Sequence, residues 1–266
     1  MDMRNSSRSL ICTLTLAISL APFAAAQKPV RKAPTAADWA AMAKLPDFTG
    51  VWETAPGGRG GAGRGAGKAG RGAAPAGPSL TPAYAAKAQA PPPRAEENET
   101  ANCLPPGMPA IMGQPYPIEI LMTPGKVTIV IEAYTQVRHI FTDGRALPED
   151  PDPTFFGTSV GHWDGDTLVV ETVGFAQVPR GLSFPYSDKM KIVERLKLAD
   201  PDTLSIETTV VDPEALTQPY SMGARTFKRH RSWTISEYIC EENNRNFADQ
   251  NGKAGIKLAK PGASPR

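Results

Sequence analysis

From Ile118 to Cys240 the chain is a succession of short apolar-alternating segments separated by tight turn signals, and this grammar constrains the fold more than any other feature. Ile118–Met122 meets Lys126–Tyr134 across Thr123-Pro124-Gly125, a turn with Pro before Gly. Gln136–Thr142 follows and stops at Asp143-Gly144. Gly157–Trp163 pairs with Thr167–Phe175 across Asp164-Gly165-Asp166, the strongest hairpin signal in the sequence. Lys189–Leu198 pairs with Thr203–Val211 across Asp200-Pro201-Asp202, and Arg225–Arg231 and Thr234–Cys240 complete the series. With a strand at Asp47–Thr54, entered by a turn and holding Trp52, the expected count is about ten. Alternation supports one covered face: Val127, Ile129 and Ile131 share one parity, and Leu204 and Ile206 share another. The reading is all-β, an antiparallel meander of about ten strands. Closure into a barrel removes the edges such a meander would otherwise expose.

The rest of the chain is organised around that block. Pro and Gly number 27 and 24 of 266 residues, about a fifth, against a usual share of roughly 12%. Apolar residues at 41% and charged residues at 21% exclude a wholly disordered chain and a multi-span membrane protein. Residues 1–26 read as a secretory signal peptide: Arg4 and Arg8, an apolar run from Leu10 to Phe23, then Ala24-Ala25-Ala26, with cleavage before Gln27. Residues 27–46 form a lead-in with a short helix possible over Thr35–Leu45. Residues 55–79 are a Gly/Arg/Pro-rich insert expected to stay disordered. Its Arg59, Arg64, Lys68 and Arg71 have no interleaved aromatics, so a linker is favoured over nucleic-acid binding. The barrel domain then runs over 80–246. It begins with a helix at Ala83–Gln89, capped by Thr81 with Pro82 in its first turn, and a proline-studded extended tract, Cys103–Pro117. Residues 247–266 are a disordered tail in this reading.

Removing the leader takes away Arg4, Arg8 and Asp2 and leaves the net charge near zero, so no strong field points to nucleic acid or a membrane surface. Two cysteines remain, Cys103 and Cys240. In an oxidising compartment a disulfide is the simplest state, with two free thiols or a metal pair as alternatives. The expected location is the periplasm or the exterior, with no integral membrane segment in the mature chain.

Gly157-Thr158-Ser159-Val160-Gly161 matches the G-x-S-x-G nucleophile elbow, but a hairpin follows it where the elbow needs a helix. Ser159 is therefore read as a strand residue. Glu132, Arg138, His139, His162, Glu171 and Glu194 all lie in mid-strand and face either solvent or a barrel interior. Facing inward, such a set can move a proton on an organic molecule. His162, Arg138, His139, Glu132 and Glu171 are the candidate catalytic groups. Trp52, Phe141, Trp163 and Tyr134 are the candidates for an aromatic-lined pocket. The acidic loop Glu149-Asp150-Pro151-Asp152 lacks the ligand spacing of a calcium loop and is read as a solvated turn. No metal or cofactor is called for.

The phrases NCLPPGMPAIMG, PYPIEIL, TPGKVTIVIEA, RHIFTDGR, GTSVGHWDGDTLVVET, VERLKL and EYICEENNRN resemble a widespread family of exported bacterial β-rich proteins, over about Phe48 to Asn246 without the insert. Its marker is GxSxGxWxGDTLVV, and the resemblance implies export and a common fold. Gly50-Val51-Trp52 is similar to the G-x-W of the lipocalin-like (calycin) barrels. That resemblance implies a Trp plugging one barrel end beneath an arginine from a late strand: Arg225, Arg229 or Arg231. The leading functional expectation is an exported barrel binding a small apolar or aromatic molecule in its lumen. The rivals are a metal-independent isomerase, cyclase or lyase acting in the same lumen, and a structural protein of the cell envelope.

Overall fold

The computed structural model describes residues 33–59, 77–89, 103–177, 181–240, 246–248 and 254–256. The expected signal peptide lies outside these residues, as does most of the Gly-rich insert. Nine strands close into one barrel in sequence order: β1 (Gly50–Arg59), β2 (Ile118–Thr123), β3 (Lys126–Ile131), β4 (Gln136–Phe141), β5 (Thr158–Asp164), β6 (Thr167–Val173), β7 (Lys191–Asp200), β8 (Thr203–Val211) and β9 (Tyr220–His230). β9 returns to pair with β1, Val51 opposite His230 and Trp52 opposite Arg229. Asn246–Ala248 (β10) and Ala254–Ile256 (β11) form a separate two-stranded sheet.

Two differences from the sequence reading share one cause, which is closure. Thr234–Cys240 is not a strand. Once β9 has paired with β1 there is no free edge for a tenth strand. The residues after β9 lie across the barrel instead, tied by the Ser236 amide to Glu132 and by the Thr135 hydroxyl to the Tyr238 carbonyl. The meander is also not antiparallel throughout, since β4 and β5 run parallel. Nine is an odd number. A closed ring of alternating up and down strands needs an even count, so one neighbouring pair must point the same way. The connection 142–157 provides that reversal by carrying the chain back along the barrel. Its Glu149, Asp150 and Asp152 are exposed. The parallel ladder is the shortest of the nine, with Ile140 opposite Ser159 and Phe141 opposite Val160.

Smaller differences also have local reasons. β1 continues to Arg59, five residues into the expected insert, because β9 offers a partner for Arg59 at Arg225. β3 ends at Ile131, and a one-turn 3₁₀ helix at Ala133–Thr135 carries Tyr134 and Thr135 at positive φ. Helices α1 (Ala36–Met42) and α2 (Pro82–Ala88) fall where expected. Thr35 caps α1 through a reciprocal bond with Asp38. Thr81 makes no side-chain cap on α2, because its hydroxyl donates to the Glu214 carbonyl at 2.8 Å and docks the helix on the β8–β9 connection.

Every strand but β5 contributes buried apolar side chains to one interior cluster: Trp52, Ile118, Ile120, Ile129, Ile140, Leu168, Val170, Ile192, Leu196, Leu204, Ile206 and Phe227. At one end Phe48 packs on Trp163 with ring centroids 5.4 Å apart. The Trp52 indole N–H donates to the Phe48 carbonyl at 2.9 Å. The Arg229 guanidinium lies 4.4 Å from the Trp52 ring and donates to the Asp47 carbonyl at 2.6 Å. This is the late-strand arginine that the calycin resemblance implies. Connections at the other end bury Met108, Ile111 and Met112 from one loop and Leu182, Phe184 and Tyr186 from another. Cys103 and Cys240 are bonded, with Cα atoms 5.6 Å apart across 137 positions of sequence. The bridge ties the segment before β2 to the chain after β9.

Candidate functional site

The site follows from strand parity. Ile140 is buried and shares its face with Arg138, while Val137 and His139 are exposed on the other face of β4. On β5 the inward set is Ser159, Gly161 and Trp163, and on β6 it is Leu168, Val170 and Thr172. On β7 it is Ile192, Glu194 and Leu196. On these four strands, four buried polar side chains thus face inward among apolar ones: Arg138, 3% exposed; Ser159, 2%; Thr172, 0%; and Glu194, 1%. They sit in the half of the barrel remote from Trp163, near the starts of β5 and β7 and the end of β6.

They form one network. Arg138 engages both carboxylate oxygens of Glu194: Nη1 donates to Oε1 at 3.2 Å, and Nη2 makes a short contact with Oε2. Nη2 also donates to Thr172 Oγ1 at 3.0 Å and Ser159 Oγ at 3.3 Å, and Nε reaches Ser159 Oγ at 3.4 Å. The two hydroxyls are 2.9 Å apart. One arginine on β4 is therefore bonded to β5, β6 and β7, and crosses the short parallel seam with side-chain hydrogen bonds. A buried ion pair carries a desolvation cost of several kcal/mol per ion, offset only when the remaining polar atoms are also bonded. Arg138 meets that condition through the two hydroxyls.

The G-x-S-x-G motif has a packing explanation on these strands. Gly157 has φ +66°, and a Cβ there would lie 2.5 Å from the Val173 carbonyl oxygen. A Cβ on Gly161 would lie 3.0 Å from Ile140 Cγ2 and 3.1 Å from Leu168 Cδ1. Both glycines admit close approach of neighbouring strands, and Ser159 between them is an interior strand residue.

The other expected site residues are dispersed. His162 is exposed on the outer face of β5. His139 is exposed on β4, its ring nitrogen 3.4 Å from the Thr128 hydroxyl. Partial burial and the nearby Lys126 hold its pKa below the usual histidine value. Glu171 points outward and pairs with Lys191 at 2.6 Å. Glu132 accepts the Ser236 amide at 2.9 Å. Of the five candidate catalytic groups, only Arg138 is interior. Among the aromatics, Trp52 and Trp163 close the barrel end. Phe141 lies on the outer face under the Arg145 guanidinium, 3.8 Å away. Tyr134 joins Tyr116 and Tyr238 in one group, the Tyr116 ring centroid 5.2 Å and the Tyr134 centroid 5.3 Å from that of Tyr238. Burial and the two neighbouring phenols push the Tyr238 hydroxyl up to about 12.

Ser159, Thr172 and Glu194 are the network residues that the candidate site set leaves out. β7 carried the signal: Ile192, Leu196 and Leu198 share the parity of Glu194, whereas Lys191, Arg195 and Lys197 share the other. β6 carried none, because Leu168-Val169-Val170 is apolar at both parities. Among the described residues no group of three or more His, Cys, Asp or Glu side chains is placed to hold a metal ion. Among the same residues no helix is long and apolar enough to cross a membrane.

No family model matches the chain, and no curated protein matches it. A solved structure it is similar to is a secretory abundant heat soluble protein from Ramazzottius varieornatus. The identity is 14% over 69% of this chain and 95% of that one, with a TM-score of 0.31. The chain's own strand pairing defines the fold as all-β, a closed nine-stranded barrel with its Trp52–Arg229 end plug and the Cys103–Cys240 disulfide.

Proposed function

We propose that this is an exported barrel protein that holds a small, largely apolar or aromatic molecule in its interior. The carrying observation is the Arg138–Glu194–Ser159–Thr172 network, an island of polarity among the apolar side chains of the barrel interior. Stability alone does not ask for it, because well-packed apolar residues of similar volume generally serve as well as a buried ion pair. Small-molecule sites are built this way, with an apolar lining for affinity and a few convergent polar groups for orientation. Export is supported by the leader-like first 26 residues, the motif resemblance and the long-range disulfide, which belongs to an oxidising compartment.

Acid–base catalysis has less support. Both histidines near the network in sequence are exposed, and the carboxylate that does reach Arg138 has both oxygens engaged by it.

The test is uptake of 1-aminoanthracene, read by its fluorescence enhancement. Val170→Trp fills the interior beside Glu194, and Val137→Trp adds the same ring to the outer face of β4. The proposal expects saturable 1:1 enhancement that Val170→Trp abolishes and Val137→Trp leaves intact. Ile192→Phe, a smaller filling change, serves if Val170→Trp does not fold. Equal binding by all variants, or none by the native chain, overturns it.

A further inference from the structure

The network's hydrogen-bond count points to the chemistry of what it receives. A guanidinium has five N–H donors, and each hydroxyl has one. Nη1 carries two hydrogens and makes one bond, to Glu194 Oε1. Ser159 and Thr172 hold two hydroxyl protons, and their mutual contact uses one of them. Neither hydroxyl donates anywhere else, and the four side chains make no further polar contact, among the described residues. Two donors in a fully buried cluster are therefore without an acceptor: one Nη1–H and one hydroxyl O–H. A buried donor without an acceptor costs about 1–3 kcal/mol, so native interiors rarely keep two together. The charge count is different. Glu194 neutralises Arg138 through both oxygens, so an anionic ligand would have to compete with a carboxylate already in place.

Resting on the lumen-binding reading, we propose that the ligand is an uncharged molecule bearing a hydrogen-bond-accepting oxygen. A ketone, ester or amide carbonyl would accept from Arg138 Nη1 and from the Ser159/Thr172 hydroxyl pair. Its apolar body would lie against Ile140, Val170, Ile192 and Leu196. Spare donors call for an acceptor, neutral charge leaves the ion pair intact, and the surrounding aliphatic wall selects an apolar body. A group that only donates, such as an ammonium, gains nothing here, because the network already has donors in excess.

The experiment is calorimetric titration of the disulfide-intact protein with three probes of one ring system: 2-acetylnaphthalene, 2-ethylnaphthalene and 2-naphthoate. The ketone is expected to bind about 10-fold tighter than the ethyl compound, the scale of one or two net hydrogen bonds. It is expected to exceed the carboxylate by at least that factor. Arg138→Met/Glu194→Met removes the Nη1 donor and the ion pair together, and should bring the ketone toward the ethyl compound. Arg138→Leu/Glu194→Leu gives the same comparison if the methionine pair does not reach the native urea midpoint. Equal affinity for ketone and ethyl compound overturns the assignment of ligand class while leaving lumen binding in place. Tightest binding by naphthoate overturns it in favour of an anion site. Failure of all three probes overturns the lumen-binding reading itself, and this inference with it.

Discussion

Removing one partner of the interior ion pair should do far more harm than removing both. In Arg138→Met the Glu194 carboxylate, 1% exposed, loses every hydrogen bond described for it, since Arg138 supplies them all. In Glu194→Met the guanidinium keeps the Ser159 and Thr172 hydroxyls but loses its counter-charge. Breaking such a pair from one side typically costs about 3–5 kcal/mol, whereas apolar replacement of both sides is close to neutral or stabilising. Arg138→Met should therefore lie at the upper end of that range and Glu194→Met at the lower. Arg138→Met/Glu194→Met should stay within about 1 kcal/mol of the native protein, giving a coupling energy of about 5 kcal/mol or more. Equilibrium urea unfolding with the disulfide intact measures all four proteins, and unchanged m-values confirm a common unfolding reaction. If either single variant loses under about 1 kcal/mol, the network is not the buried, mutually dependent unit described here. A double variant that loses the sum of the singles would refute the reasoning equally.

Four further outcomes follow from the same structure. Reducing Cys103–Cys240, which closes a 137-residue separation, should cost about 5 kcal/mol in the chain-entropy model, read as a lowered urea midpoint in reductant. Arg229→Leu should cost about 1–2 kcal/mol through loss of the cation–π contact with Trp52, and the Trp52 emission should shift. Gly157→Ala should destabilise clearly more than Gly165→Ala, since both have positive φ but only Gly157 would drive a Cβ into a backbone oxygen. The folded-state pKa of Tyr238 is raised, so its stabilising contribution is full below pH 10 and is lost as pH rises toward about 12. Tyr238→Phe should flatten stability over that interval, and absorbance titration of the native chain should show one phenol ionising last.

The parts of the fold set by local chemistry were readable in advance. Asp164-Gly165-Asp166 and Asp200-Pro201-Asp202 placed two hairpins correctly because a turn sequence and the alternation on either side agree. Trp52 beneath a late-strand arginine also held: the three competing arginines share one parity with buried Phe227, and only Arg229 stands in register opposite Trp52. What eluded the sequence depends on global closure. The parallel β4–β5 seam follows from an odd strand number, which no window of residues reveals. The tenth strand vanished because β1 and β9 consumed each other's edges.

The site illustrates how much hangs on one residue of register. Glu171 and Thr172 are neighbours, yet one pairs with Lys191 outside the barrel and the other bonds Arg138 within it. Similarly, His139 follows Arg138 and faces away from it. Charged residues were the visible candidates, but two of the four network members are a serine and a threonine. Those residue types are common on either face of any strand. Their role emerged only when the sheet brought them beside the same guanidinium.

The most direct test of the central claim is native mass spectrometry of the protein purified without detergent and incubated with 2-acetylnaphthalene, beside Arg138→Met/Glu194→Met prepared identically. Lumen binding at the polar network predicts one equivalent of neutral ligand on the native chain, released on denaturation, and a much reduced adduct on the double variant. An apo mass for the native chain, or equal adducts on both proteins, would contradict it.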